Sequence, residues 1–454
     1  MTITNKYLFT RRKAFRGDDL KGRFLRSSLT MSFGVVLSKV CGFGSKVILT
    51  RLLLPQEIGL VVMIVVLTGL FEVLAEVGVK QSVIRNPRGA EPAYLNTAWW
   101  FHAIRSVGLF LLAYITAPWL CSFYFKDKAD VIESHTMYEL IMMSRVAFLT
   151  IFFNGLVSPR AHVLEKYFKF GKVVIINQAS FMAGVIITII LAFIYRSVWA
   201  MVLGLVIAAL AKCVFSYILC PFLPRLVYDG ESFKEILGFA KGIFGLPILT
   251  HAIYNMDVFV IGKVFPASIV GMYGMALILA KTPWDLFGKV FLPLLLPVFS
   301  ELQEDAQRLR KVVLKAVWTS IGASLPICIA VIFFRKQILT LTFGSAYTAV
   351  GTAFGLLCIY VVCLIISTIL ASVLFGIGQP GKHRLGMIIW AVIGTALIYP
   401  FISLFGFAGA PISLIVAAIC SLLVEWRIIN GCLSTGQSKY EEKNEFGGVC
   451  AEKA

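Results

Sequence analysis

An all-α membrane protein of about twelve spanning helices, arranged as two six-helix bundles related by a parallel internal repeat, is the fold class this sequence predicts. Three observations predict it. Of the 454 residues, 59% are hydrophobic and 15% charged, against about 25% charged in an ordinary soluble domain. Apolar runs of about 20 residues, the length needed to cross hydrocarbon, recur along the chain. The 42 Lys and Arg lie in short segments between those runs. A formal net charge of +18 raises the question of nucleic acid. Basic residues scattered between apolar runs are instead the pattern of cytoplasmic loops, so no nucleic-acid partner is expected.

The elements follow in order. Residues 1–26 form a basic arm carrying Arg11, Arg12, Lys13, Arg16, Lys21, Arg23 and Arg26. The run after it is longer than a signal-peptide core and lacks an A-x-A site, so the arm is expected to be cytoplasmic and the first helix uncleaved. Spans are predicted near 28–53, 57–79, 95–119, 137–159, 173–195 and 198–220, which makes a first bundle of 27–220. A cytoplasmic linker, 221–235, leads to spans near 236–262, 268–299, 312–334, 347–375, 385–404 and 407–430, a second bundle of 236–430. Residues 431–454 form a polar tail.

With the N-terminus inside, the inner segments hold about 26 Lys and Arg and the outer ones about 7, namely Arg51, Lys126, Lys128, Arg196, Lys263, Arg335 and Lys336. A missed or invented helix would scramble that asymmetry, so both termini are expected on the cytoplasmic side. The connections are too short for a soluble domain.

The repeat is visible where span one turns into span two. Arg51-Leu-Leu-Leu-Pro55-Gln-Glu-Ile-Gly59 has a counterpart in Lys263-Val-Phe-Pro266-Ala-Ser-Ile-Val-Gly271 between spans seven and eight. The basic residue and the glycine are both displaced by 212 positions (51 to 263, 59 to 271), and proline slips by one. Basic-Pro-Gly turns are common at helix ends, but equal spacing and equal direction across the membrane favour a true repeat. Two parallel halves place a substrate path between them.

These stretches also carry a family resemblance. TRLLLPQEIGLVVM, FEVLAEVGVKQSVIRNP and LNTAWWF in the first half, then NMDVFVIGKVF, VGMYGMA, LPLLLPVFSELQEDAQRLR and FGIGQPGK in the second, resemble the polysaccharide transport (Wzx-type) flippases. That family belongs to the multidrug/oligosaccharidyl-lipid/polysaccharide exporter superfamily. The resemblance runs over roughly residues 27 to 430 and rests on order and spacing, not on any single motif. It implies a carrier that moves a polyprenyl-pyrophosphate-linked oligosaccharide from the inner to the outer leaflet of the bacterial inner membrane, by alternating access, for exopolysaccharide or surface polysaccharide export. It also implies polymerase or co-polymerase proteins as partners beside the membrane lipids, and no catalysis.

A path for a pyrophosphate needs cations, because low dielectric amplifies their attraction to phosphate. Lys39 and Lys46 share one face of span one; His102 and Arg105 share a face of span three. Arg145 lies in span four, Lys212 in span six and Lys281 in span eight. These seven are the candidate substrate-binding cations, against the plainer reading of structural ion pairs. Arg51 and Lys263 lie near enough to helix ends to reach the interface. His102 and His251 suit hydrogen-bonded interior positions better than proton sensing.

GLFEVLAEVGV, residues 69–79, poses the opposite problem. Glu72 and Glu76 share a helical face in an apolar run, and a carboxylate in lipid is costly. Glu76 lies about one turn from Lys80 and suits an interfacial pair. Glu72, about 6 Å deeper, is expected to hold a cation of span one or three in place, with ion coupling as the rival role. Asp257 in span seven is a second ion-coupling or pairing candidate, and Lys281 is spaced to pair with Asp285. Prolines 283, 293 and 297 in span eight permit kinks.

Other signals are set aside. Gly376-Ile-Gly378-Gln-Pro380-Gly381-Lys382 matches GxGxxG but joins two apolar runs, where a dinucleotide loop needs a strand before it. GFGSK at 42–46 suits close helix packing. The ten cysteines form no CxxC pair, so neither a zinc site nor a disulfide framework is expected, and no cofactor or other metal either. Three rivals remain: a drug exporter of the same superfamily, which would want an acidic, aromatic cavity; a membrane-embedded polymerase, which would want a long outer loop; and a structural scaffold of the polysaccharide assembly machinery, which could coexist with transport.

Overall fold

In the computed structural model, each of the twelve predicted spans falls on helix. The structure describes residues 17–434 apart from 76, 77, 127, 129, 130, 132–134, 168, 226, 228, 244, 291 and 304, and no strand occurs among the described residues. Among the described residues, eight stretches are long and apolar enough to cross a membrane by length and composition. These contain nine of the predicted spans. Spans one, seven and eight fall outside them, and those three carry the Lys39, Asp257, Lys281 and Asp285 side chains discussed below.

The first half runs α1 (Gly17–Leu52), α2 (Pro55–Ala75), α3 (Val79–Arg85), α4 (Pro92–Phe125), α5 (Met137–Ala147), α6 (Leu149–Gly155), α7 (Arg160–Lys166), α8 (Phe170–Tyr195) and α9 (Val198–Leu219). Pro55 opens α2, where a missing N–H does no harm, and Glu57 accepts the Leu54 N–H at 2.9 Å. The predicted span 57–79 stops early. Helix α2 ends at Ala75, and the chain passes Gly78, whose φ of 68° suits glycine, into α3. Glu76 lies outside the described residues. Span four is likewise split, into α5 and α6 around Phe148.

Helices α8 and α9 form a hairpin through Arg196, which takes a left-handed φ of 44°, and Ser197, the α9 N-cap. They pack closely because Gly184 faces Ala208 and Gly204 faces Thr188, the small-residue contact that membrane helices favour.

The second half runs α10 (Gly230–Ile243), α11 (Leu246–Val264), α12 (Ala267–Val290), α13 (Leu292–Glu301), α14 (Ala306–Phe333), α15 (Arg335–Thr342), α16 (Gly351–Gly376), α17 (Pro380–Phe405) and α18 (Gly409–Ser434). Predicted span seven is broken at Gly245 into α10 and α11, so the predicted linker boundary at 235 falls inside α10. Predicted span eight is covered by α12 and α13, which lie on either side of residue 291, outside the described residues. Helix α16 is the buried centre of this half, covered by α12, α14 and α18, while α17 pairs with α18 and α11.

The halves meet along α2, which packs on α12 and α11. The approach is closest at the repeat. A Cβ on Gly59 would strike the Ala267 carbonyl, and a Cβ on Gly271 would strike the Pro55 carbonyl. The two contacts interchange under the 212-residue displacement (55 to 267, 59 to 271), as a two-fold relation between the halves requires. This step lies at the end of the molecule where α1 gives way to α2, here called the distal end. The opposite end carries the start of α1 and is called the arm end.

Candidate functional site

Charge gathers where the halves meet. Lys39 on α1 pairs with Asp285 on α12, 246 residues away; the side chains are 35% and 30% exposed. Lys46, two turns further along the same face of α1, lies within electrostatic range of both and has no hydrogen-bond partner among the described residues. Lys281, one turn before Asp285, does not form the expected i,i+4 ion pair. Its ammonium donates to the Tyr254 carbonyl at 3.0 Å and faces the Tyr254 and Tyr360 rings. Asp257 and Asp285 both lie within its electrostatic range.

Asp257 itself is fully buried on α11. It accepts the Tyr273 hydroxyl at 2.8 Å, and its other oxygen has no hydrogen-bond partner among the described residues. The result is a row of alternating charge, Lys39–Asp285–Lys281–Asp257, running from the first half into the second. His251, a turn and a half before Asp257, lies against Gly69 of α2 and bonds Asn255 at 3.2 Å.

The remaining candidates do not join that row. Glu72 accepts Thr150 at 2.9 Å and Asn154 at 3.5 Å, both on the fourth span, where the sequence placed its partner on the first or third. It lines a cavity of about 310 Å³ inside the first half, with Lys212, Asn177 and Ser180. His102 and Arg105 stand beside that cavity. Their side-chain nitrogens are 3.2 Å apart, Lys212 lies within electrostatic range of His102, and Arg105 donates to the Ala75 carbonyl. Ala75 is the last residue of α2, so Arg105 satisfies a carbonyl that the helix end leaves open. Arg145 stands apart: it donates to the Tyr114 carbonyl at 3.3 Å with its guanidinium 4.3 Å from that ring.

The distal end is closed by contacts that cross between halves. Arg51 at the end of α1 donates to the Thr340 and Leu341 carbonyls, both at 3.1 Å, at the end of α15. Lys263 at the end of α11 donates to the Phe123 carbonyl at 2.6 Å, at the end of α4. Repeat-related cations thus do the same work in opposite directions, each on a helix C-terminus where cations are favoured. Tyr124 adds a bond to the Phe259 carbonyl at 2.7 Å, and Lys128 one to the Phe265 carbonyl.

Charge also ties the arm-end linker down. Arg88 reaches Asp229 and Glu231, both at 3.1 Å, and Asn86 reaches Glu235 at 2.6 Å. The Ser232 hydroxyl bond, with backbone N–H groups and Arg88, holds the Asp229 carboxyl below its ordinary range. Nearby on α7, burial pushes His162 down to about 3, assisted by the charge of Lys80.

One pair escaped the sequence reading. Glu425 on α18 is fully buried and lies 2.8 Å from His383 at the start of α17, with its second carboxyl oxygen unpartnered. The signal available was a carboxylate in an apolar run. The room for it comes from Gly386, whose missing side chain leaves space for the carboxyl.

Comparison with known proteins adds the following. A family model described as "Polysaccharide biosynthesis protein" matches residues 48–352. The chain is 22% identical over 325 residues to the lipopolysaccharide biosynthesis protein WzxC of Escherichia coli (strain K12), a match covering 70% of this chain and 63% of that protein. It is 21% identical over 367 residues to the succinoglycan biosynthesis transport protein ExoT of Rhizobium meliloti (strain 1021), covering 80% and 72% respectively. The chain therefore spans less than two thirds of the length of the first of these relatives. In fold it is similar to the lipid II flippase MurJ in an inward closed conformation, with a TM-score of 0.74, 13% identity, and 88% of this chain and 87% of that one covered.

Proposed function

The chain belongs to the polysaccharide biosynthesis protein family, and from that premise we propose that it is a flippase which carries a polyprenyl-pyrophosphate-linked oligosaccharide from the inner to the outer leaflet of the bacterial inner membrane. The product serves exopolysaccharide or surface polysaccharide export, where polymerase or co-polymerase proteins take it up. The arm end faces the cytoplasm and the distal end faces outward. The 27–220 and 236–430 halves rock against each other around the seam.

The observation that carries this reading is the ion pair between Lys39 and Asp285. A cation that bridges the halves through a carboxylate can release that carboxylate when an anionic ligand takes its place. The diphosphate enters from the arm end, competes with Asp285 for Lys39, and two turns deeper meets Lys46, which has no hydrogen-bond partner to lose among the described residues. Lys281 follows along the row. The ligand then stabilises the arrangement in which Asp285 is released, and a ligand drives a conformational change only by such a preference.

His102, Arg105 and Lys212 stand behind the seam and position the arm end of α2; Glu72 holds that group together through span four. Asp257 places a carboxylate within electrostatic range of Lys281. Arg145 belongs to helix packing and not to the path.

The test is the leaflet on which lipid-linked sugar accumulates in cells lacking the protein. Inner-leaflet accumulation, relieved by wild type but not by an equally abundant Lys39→Ala protein, is the expected result. Normal translocation with loss of polymer growth would move the function to assembly.

A further inference from the structure

A cavity of about 760 Å³ lies away from the seam, at the arm end of the first half. Four segments enclose it: the start of α4, α7, the start of α8, and the stretch after α9. Arg160, Lys172 and Arg225 line it, all exposed, and no carboxylate lines it among the described residues.

Two of the three cations are fixed to the wall. Arg160 donates to the Pro221 carbonyl at 2.6 Å and Lys172 to the Leu219 carbonyl at 3.0 Å. Both carbonyls belong to the open end of α9, where cations are favoured. Among the described residues each side chain makes one such bond, which leaves further N–H donors for a ligand.

That capping role does not extend to Arg225. Its backbone is held on both sides: its N–H donates to Asn96 at 2.6 Å and its carbonyl accepts Trp100 at 3.0 Å. The guanidinium has no partner among the described residues. Three cations without a counter-charge concentrate an anion.

The rest of the lining is apolar, including Leu95, Val163 and Phe222, with Leu223 84% exposed at the rim. A small free anion gains nothing from such a wall, whereas a lipid phosphate brings hydrocarbon to it. Basic pockets between membrane helices at the cytoplasmic side are suited to phosphorylated head groups.

We infer that this cavity binds the phosphate of a lipid in the inner leaflet, with the phosphate among Arg160, Lys172 and Arg225 and the first carbons of the chain along Phe222 and Leu223. The lipid is either an anionic phospholipid or the pyrophosphate carrier, which share this chemistry. The inference rests on the membrane orientation proposed above.

The test uses the full chain in nanodiscs of phosphatidylcholine alone, with phosphatidylglycerol added, or with a polyprenyl pyrophosphate added. Lipid retained per chain is counted by native mass spectrometry. Arg225→Gln removes the cation with no side-chain bond to lose, and Leu223→Glu adds a carboxylate at an exposed site; thermal unfolding checks that both fold. Each is expected to lower retention of the phosphorylated lipid about fivefold. A response confined to the phosphatidylglycerol arm assigns the site to bilayer lipid, and one confined to the pyrophosphate arm assigns it to the carrier. Equal retention by wild type and both variants in every arm overturns the site. If retention responds but wild type leaves sugar on the inner leaflet, the transport reading falls and the site stands.

Discussion

Adding one methyl group at Gly59 or Gly271 tests the seam directly. In each variant the new Cβ meets a backbone carbonyl of the opposite half, Ala267 for Gly59→Ala and Pro55 for Gly271→Ala. A backbone carbonyl cannot rotate aside as a side chain would, so α2 and α12 must part by roughly 1 Å. Overpacking of this kind costs about 1–3 kcal/mol. Only the arrangement with the distal end shut makes the contact, so it alone bears the cost. The balance between shut and open then moves about 5- to 150-fold toward open. Spin labels at Lys126→Cys and Val264→Cys, in a background freed of accessible native cysteines, report the separation of α4 from α11 at that end. The expected result is a new, longer distance population in both variants, and little further change when they are combined, since both act on one seam. An unchanged distance distribution in properly folded variants would refute the claim that this step holds the distal end shut.

Other outcomes follow from the same geometry. Lys39→Gln and Asp285→Asn should each lower transport at least tenfold at normal abundance, and the Lys39→Asp/Asp285→Lys exchange should likewise keep normal abundance without regaining transport, since the cation then sits on the wrong half; full transport by the exchanged protein would sink the substrate-competition argument. Glu72→Gln should lower transport while abundance holds, because its neutral amide still bonds Thr150 but no longer balances the charge of the cluster; undiminished flux would show that the charge there is idle. The linker contacts carry a pH signature. Asp229 titrates below its usual value of about 3.8, so its contribution is present above that value and lost as pH falls through its lower folded value. Protection of the α10 amides, taken relative to the intrinsic exchange rate at each pH, should therefore stay flat between about pH 5 and 8 and fall only in stronger acid, and Arg88→Gln should lower it at neutral pH. For His162, whose pKa is pushed down to about 3, the unfolded chain binds a proton that the folded one excludes. Stability should fall as pH drops below about 6.5, and His162→Gln should flatten that slope in thermal unfolding.

Much of the architecture was legible because the membrane imposes a length on each span and a charge bias on each loop. The repeat could be read from the equal spacing of Gly59 and Gly271, but nothing in that spacing said that the two glycines meet each other. The break in span seven was not legible, because hydropathy runs smoothly past Gly245 while the helix does not. Partner choice was harder still. Lys281 and Asp285 have the right spacing for each other, yet Asp285 turns to Lys39 on another helix, which local periodicity cannot foresee. Glu72 and Arg105 were recognised as anomalies in hydrocarbon, but their partners, Thr150 and the Ala75 carbonyl, are ordinary groups in sequence. Glu425, a carboxylate inside the last apolar run, was not singled out. Its burial depends on His383 and on the space left by Gly386, both on the neighbouring helix.

The interchange of contacts at Pro55, Gly59, Ala267 and Gly271 has the form of an isologous interface, in which each surface meets its own copy. A single half, presenting only the Pro55–Gly59 step, would already be self-complementary to a second copy in the same orientation. Fusing two such copies would need no new contact surface, only a connecting segment of the kind that runs from α9 to α10. The seam can thus be regarded as a homodimer interface kept within one chain, and drift on one side of it is constrained by the other in the way that paired subunits constrain each other.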